Sequence, residues 1–110
     1  MTKREISNLK QLAKSVLPKE LRRKIYRVKD RGEKINLYKH AISSNLDVRL
    51  HRVDMDLKKH GKKHDVFHLL TKANLLNIKI KYFIIDHDKK ELKKILKELK
   101  SIEKELGEFE

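Results

Sequence analysis

The sequence predicts an α+β fold: three N-terminal helices, a small sheet containing a β-α-β unit, and a long C-terminal amphipathic helix. Residues 77–86 alternate apolar residues with lysine and are rich in β-branched and aromatic side chains, as strands are. Apolar residues elsewhere recur every three or four positions, which is typical of helices. A lone strand leaves its backbone unpaired, and residues 46–57 are the only other segment with clear period-two character.

The composition indicates one domain that attracts polyanions. The chain has 110 residues, with 29 Lys and Arg against 16 Asp and Glu, a net charge of +13. We expect a single domain with a basic helical part over residues 1–45 and a β-α-β-α part over 46–110. Enrichment in Lys and Glu without cysteine is typical of thermophile surfaces, but it does not explain the imbalance of charge. Nucleic acid is therefore the expected partner.

Several classes of protein are disfavoured by what the sequence lacks. It has no cysteine, so disulfides, thiolate zinc sites and cysteine nucleophiles are excluded. No apolar run approaches the roughly 20 residues that span a bilayer, and the first residues lack the apolar core of a signal peptide. A cytoplasmic protein without membrane contact is predicted.

The N-terminal part is predicted to contain three helices. Residues 4–16 place apolar side chains at helical spacing, and Pro18 ends this helix and opens a second one. Gly32 is predicted to cap the end of the second helix. A third helix over residues 33–43 is expected to end at the polar run 43–45.

Residues 46–57 fit both a helix and a strand. Read as a helix, the segment places four apolar side chains on one face: Leu46, Leu50, Val53 and Leu57. Read as a strand, it alternates from Leu46 to Leu50 and resumes after a bulge. Because the strand at 77–86 needs a partner, a strand is predicted here. A helix over residues 66–76, capped by Asp65, would then connect the two strands in a right-handed crossover.

The last helix carries a heptad seam. Asp88 is predicted as its N-cap, with Glu91 at the third helical position. The seam consists of Leu92, Ile95, Leu99, Ile102, Leu106 and Phe109. It predicts either packing on the sheet or a homodimer through residues 89–109. Residues 91–110 carry a net charge of −1, so any polyanion-binding surface is assigned to residues 1–90.

Two basic clusters are the predicted nucleic-acid-binding residues. One lies on the second helix and consists of Arg22, Arg23, Arg27 and Arg31. The other lies on a predicted loop at Gly61 and consists of Lys58, Lys59, Lys62 and Lys63. Such a density of positive charge neutralises several phosphates, and the release of counterions makes binding depend strongly on salt. The sequence therefore predicts a protein that binds the phosphate backbone of DNA or RNA, without catalysis and without a cofactor.

Two alternatives remain open. Parallel strands ending near residues 56 and 86 would bring four carboxylates to one sheet edge: Asp54, Asp56, Asp86 and Asp88. Carboxylates in such a group bind Mg²⁺, so a small metal-dependent nuclease is the first alternative. The second is an adaptor that binds an acidic protein partner. A zinc site from the histidines at 60, 64 and 68 is disfavoured by Gly61 and the surrounding lysines.

Overall fold

The structure is a computed structural model that describes residues 3–60 and 66–108. Within these ranges, the regular secondary structure consists of α-helices alone. The five helices are α1 (Lys3–Val16), α2 (Lys19–Tyr26), α3 (Arg31–His60), α4 (Val66–Asp86) and α5 (Lys89–Gly107). The predicted α+β fold is wrong, because neither of these ranges contains a strand and both proposed strands are helical.

Residues 77–86 form the second half of α4. The strand prediction placed Tyr82 and Ile84 on one face, but Tyr82 is 6% exposed and Ile84 is 57% exposed. The neighbours Tyr82 and Phe83 are both buried, as on the broad apolar face of a helix. Isoleucine lowers helix stability by only about 0.4 kcal/mol per residue, so tertiary packing overrides this preference.

Residues 46–57 belong to α3, which also passes through residues 43–45, where the sequence predicted an end. Apolar side chains continue at spacings of three and four along the whole helix, and five of them are buried: Tyr38, Ile42, Leu46, Leu50 and Val53. Val48, which the strand reading grouped with Leu46 and Leu50, is 57% exposed. The period of the buried residues is therefore helical throughout.

Turn-forming residues explain both errors. No glycine or proline occurs between Gly32 and Gly61, or from Val66 to Asp86. A change from helix to strand needs a connecting loop, and Gly and Pro are the strongest signals of one. Each segment without such a signal continues as one helix.

The chain forms two compact units: unit 1 consists of Met1–Leu46, and unit 2 consists of Asp47–Glu110. Unit 1 contains α1, α2 and the first half of α3, and its buried side chains come from all three: Leu9, Leu12, Ala13, Val16, Leu17, Ile25, Tyr38, Ile42 and Leu46. Pro18 opens α2, because its carbonyl accepts the first helical hydrogen bond from Arg22 N at 3.1 Å. The prediction that the whole chain is one domain stays a prediction.

Gly32 does not cap α2. That helix ends at Tyr26 with Arg27 as its C-cap, and Gly32 lies in the first turn of α3. The sequence overestimated the length of α2, because Val28 continues its apolar spacing although its amide only closes a turn onto Ile25 O.

Unit 2 contains the second half of α3 together with α4 and α5. Two ion pairs between described residues join α3 to α4, Asp47–Lys79 at 3.0 Å and Asp54–Lys72 at 2.8 Å, and His68 Nε2 lies 3.6 Å from Asp56 Oδ2. Residue numbers rise along α3 as they fall along α4, so the two segments are antiparallel. The lysines in these two ion pairs are 18% and 20% exposed, but their aspartate partners are 59% and 46% exposed, so salt still screens both pairs in part.

A two-residue connection turns the chain from α4 into α5. His87 takes a positive φ of 59°, a left-handed conformation that reverses the direction of the backbone. The predicted cap is confirmed, because Glu91 N donates a hydrogen bond to Asp88 Oδ1 at 3.1 Å. Helix α5 packs against α4 and buries Ile95 and Ile102 from its seam. The homodimer through residues 89–109 stays a prediction.

Candidate nucleic-acid interface

A basic cleft of about 450 Å³ lies on unit 1. Helix α1 provides Lys10 and Lys14, and Tyr38 of α3 also contributes to the lining. The remaining cationic lining comes from the start of α2 to its C-cap: Lys19, Arg22, Arg23 and Arg27. Among the residues that the structure describes, no acidic side chain lines this cleft, so its charged lining is entirely cationic.

A second cleft of about 390 Å³ shares Lys10 and Tyr38 with the first. Its other cationic side chains are Lys29, Arg31 and Lys34, and the described residues contribute no acid to its lining either. We call the two clefts together the unit-1 basic surface. Its nine cationic side chains belong to a unit with 13 basic and 4 acidic residues, a net charge of +9 over residues 1–46.

An exposed tyrosine lies within this surface. Tyr26 is 66% exposed, and the ammonium groups of Lys10 and Lys34 lie 5.6 Å and 4.9 Å from its ring centroid. Both distances are within the range of a cation–π interaction. The ring therefore holds lysines from α1 and α3 close to the arginines of α2. Its phenol also offers a hydrogen bond donor and acceptor to a bound molecule.

Arg22 and Tyr38 form the inner part of the first cleft. The Nε atom of Arg22 is buried and has no hydrogen bond partner within the described residues. Burial raises the pKa of Tyr38, Tyr26 raises it further, and the Arg22 guanidinium opposes the shift. Tyr38 thus remains a neutral hydroxyl at physiological pH. The cation of Arg22 therefore lies beside a neutral phenol in the first cleft.

The structure brings the predicted arginines together only in part. Arg22, Arg23 and Arg27 line the first cleft, whereas Arg31 lines the second. Sequence reasoning missed several members of the surface: Lys10, Lys14, Lys19, Lys29, Lys34, Tyr26 and Tyr38. Lys10 and Lys14 are four residues apart on α1, which shows that they share a helix face. Nothing in the sequence shows that this face meets α2.

The predicted lysine loop begins later than expected, because Lys58 and Lys59 lie in the last turn of α3. Lys58 lines a separate cleft of about 550 Å³ on unit 2, together with the acidic residues Asp54, Glu98 and Glu105. This cleft has a mixed charge and therefore attracts phosphate less than the unit-1 basic surface does. Lys62 and Lys63, like Gly61, His64 and Asp65, lie outside the described residues.

The four aspartates do not meet at a sheet edge, since the described residues contain no sheet. Asp54 pairs with Lys72, and Asp56 Oδ2 lies 3.6 Å from His68 Nε2. Asp86 ends α4, and Asp88 caps α5. The helical rise from Lys72 to Asp86 separates the two aspartate pairs by about 20 Å. They therefore cannot share one ion.

Metal-ligating side chains are also not clustered elsewhere in the described parts of the chain. Residues 3–60 and 66–108 contain no group of three His, Asp or Glu side chains arranged to hold an ion. His68 is 3.6 Å from Asp56, so an aspartate on the facing helix is its neighbour. His51 lies exposed on α3. Of the predicted histidine face, only the side chain of His68 is among those described.

No protein-family model matches this chain, and neither a curated protein nor a solved structure is significantly similar to it. Across residues 3–60 and 66–108, no helix has the length and hydrophobicity needed to cross a bilayer. A function for the chain is thus argued from its own side chains and their arrangement.

Proposed function

We propose that this chain is a cytoplasmic nucleic-acid-binding protein that holds the phosphate backbone of DNA or RNA on the unit-1 basic surface, without catalysing a reaction. One observation carries the proposal: within the described parts of the chain, two neighbouring clefts are lined by nine cationic side chains and by no acid. Cations concentrated in a concave surface raise the local concentration of a polyanion and its rate of association.

The form of the surface favours contact with the phosphate backbone. Long Lys and Arg side chains dominate the lining, and guanidinium groups hold phosphate with paired hydrogen bonds. Tyr26 is the only exposed aromatic side chain on this surface. Readers of single strands stack successive bases on several aromatic rings. A duplex or a structured RNA is therefore the expected ligand.

The first test is fluorescence anisotropy with a labelled DNA duplex, an RNA hairpin and a single strand, over a series of salt concentrations. Each phosphate neutralised on a duplex contributes about −0.9 to the slope of log K against log salt. We expect a steep negative slope for the duplex and the hairpin. Absence of binding near physiological salt would refute the proposal.

Charge-reversal variants test whether nucleic acid binds at the unit-1 basic surface. Arg23→Glu with Arg27→Glu reverses two exposed charges of the first cleft. The control, Arg4→Glu with Lys24→Glu, makes the same change in charge at exposed positions that line neither cleft. The slope should become shallower by about 2 in the cleft variant, which loses two phosphate contacts, and by much less in the control. Equal effects would remove the assignment to this surface.

The same assay separates the alternatives. Repeating it with Mg²⁺ and analysing the strands on a gel detects cleavage, which would favour the carboxylate nuclease. Competition with polyglutamate detects an adaptor for acidic proteins, because such a protein would bind the peptide as well as it binds nucleic acid.

A further inference from the structure

Helix α5 carries a second basic surface, since Lys89–Gly107 contains seven lysines against four glutamates. At 100° per residue, five of its lysines fall within a sector of about 80° around the helix axis. We call this set the α5 lysine stripe: Lys89, Lys93, Lys97, Lys100 and Lys104. All five side chains are exposed. The stripe extends for about 22 Å along the helix.

Three of the four glutamates of α5 lie on a different face, and the fourth, Glu103, is exposed at the edge of the stripe, three residues after Lys100. Glu91, Glu98 and Glu105 repeat every seven residues, beside the apolar seam and away from the stripe. Glu98 and Glu105 line the cleft on unit 2, and Glu98 is 4.0 Å from Lys72 of α4. Glu98 and Glu105 are thus turned towards the other helices of the unit, whereas Glu91 pairs with Lys94 on α5 itself. The nearly neutral charge of residues 91–110 hides a face that is strongly positive.

Solubility alone does not explain why five lysines lie on one face of α5. Exposed helices are stabilised when Glu and Lys alternate at spacings of three and four, whereas like charges at those spacings are destabilising. The stripe places lysine four residues from lysine three times, as in Lys93 and Lys97. No ion pair within the described residues neutralises any of the five lysines. A bound polyanion would remove this repulsion.

The occupant that fits is a phosphate backbone. A duplex presents roughly a dozen phosphates over the length of the stripe. An anionic membrane is a poorer match, because the apolar face of α5 packs against α4 and buries Ile95 and Ile102. A helix that binds in the membrane interface inserts its apolar face into the lipid.

We propose that the α5 lysine stripe is a second phosphate-binding surface, which contacts nucleic acid independently of the unit-1 basic surface. This inference rests on the proposed function and extends it from one contact surface to two. Neutralising five phosphates on a duplex would contribute about −4.5 to the salt slope. The C-terminal helix would then supply a substantial part of the affinity.

The test uses the full chain with Lys93→Glu and Lys97→Glu. These glutamates lie four and three residues from Lys89 and Lys100, so helix pairs compensate for the change. The control, Arg52→Glu with Lys81→Glu, has the same charge and alters exposed positions on the other helices of unit 2. Circular dichroism melts check that both variants fold. If the glutamate variant does not fold, Lys93→Gln with Lys97→Gln replaces it and should lose the same two contacts.

Binding to a labelled duplex is measured across salt for each variant, in the wild-type background and together with Arg23→Glu and Arg27→Glu. The stripe variant should make the slope shallower by about 2 in both backgrounds, and the control should change it much less. If the stripe variant matches the control, the inference fails while the proposed function stands. If the wild type does not bind at all, both fail.

Binding to vesicles that contain phosphatidylserine tests whether the stripe contacts a membrane instead, because lipid headgroups also carry phosphate. If the stripe variant loses vesicle binding but binds the duplex like its control, the stripe is a membrane contact and the inference is overturned. If it loses duplex binding and the wild type does not bind vesicles, the inference is supported.

Discussion

Asn77 provides a direct test of the helical fold. It is exposed, eleven residues after the start of α4 and nine before its end. In the structure, a proline at this position would remove a backbone hydrogen bond to Ala73 and clash with that carbonyl. In the α+β alternative, the same position is the junction between a helix and a strand, where proline is well tolerated.

The expected loss of stability follows from the position of residue 77 in the interior of α4. Proline in the interior of a helix costs about 3 kcal/mol or more, and alanine stabilises an exposed helix position by about 0.6 kcal/mol relative to asparagine. Small domains have a free energy of unfolding of roughly 5–15 kcal/mol, so Asn77→Pro should remove a large fraction of it. For a unit of this size, 3 kcal/mol corresponds to a fall in Tm of roughly 12 °C or more.

The assay is urea unfolding followed by circular dichroism at 222 nm. Asn77→Pro should lower the free energy of unfolding by about 3 kcal/mol, and Asn77→Ala should raise it slightly without a change in m-value. Lys19→Pro is the control, because position 19 is the first residue of α2 and tolerates proline. The helical assignment would be refuted if Asn77→Pro cost less than about 1 kcal/mol while the protein stayed folded.

Two further predictions concern unit 2. Asp88→Ala removes the oxygen that accepts a hydrogen bond from Glu91 N, so the free energy of unfolding should fall by about 1 kcal/mol, whereas Asp88→Ser should retain most of it. Tyr82 should titrate late, because burial, and then the charges of Asp86, Asp47 and Asp88, raise its pKa to about 12. Its unfolded form loses the proton near pH 10, so this stabilisation is complete below pH 10 and is lost between pH 10 and 12, at up to about 1.4 kcal/mol per pH unit.

Each of these two predictions would be contradicted by a specific result. Equal stabilities for Asp88→Ala and the wild type in urea would show that the cap does not contribute. Tyrosine ionisation is followed by absorbance at 295 nm, and the difference between the wild type and Tyr82→Phe isolates this side chain. If that difference titrates near pH 10, Tyr82 is accessible to water and the packing around it is not as described.

The two basic surfaces relate differently to the sequence. Arg22, Arg23 and Arg27 are close together in the chain, so their cluster is visible without a structure. Lys10 and Lys34 are 24 residues apart, yet both lie over the ring of Tyr26. The unit-1 basic surface therefore depends on how three helices pack, whereas the α5 lysine stripe follows from the periodicity of one helix.

Local signals were sufficient where one periodicity was clear. The sequence alone predicted α1, α5, the cap at Asp88 and the excess of positive charge, because each depends on neighbouring residues or on composition. The sequence also showed that residues 33–60 contain no glycine or proline, which favours one continuous helix, although the alternation at 46–50 pointed to a strand.

Tertiary structure decided the remainder. Whether residues 77–86 form a strand or a helix depends on what covers them, and in unit 2, where α4 forms an ion pair with the antiparallel α3 and packs on α5, Leu76, Tyr82 and Phe83 are buried at helical spacing. A short apolar run fits either period, and the packing energy of the neighbouring helices exceeds the weak preference of β-branched residues for strands. The same packing determines which lysines face solvent together. The sequence thus determined the charge of this protein and the lysine periodicity of α5, and the fold determined which basic residues distant in the chain meet on the unit-1 basic surface.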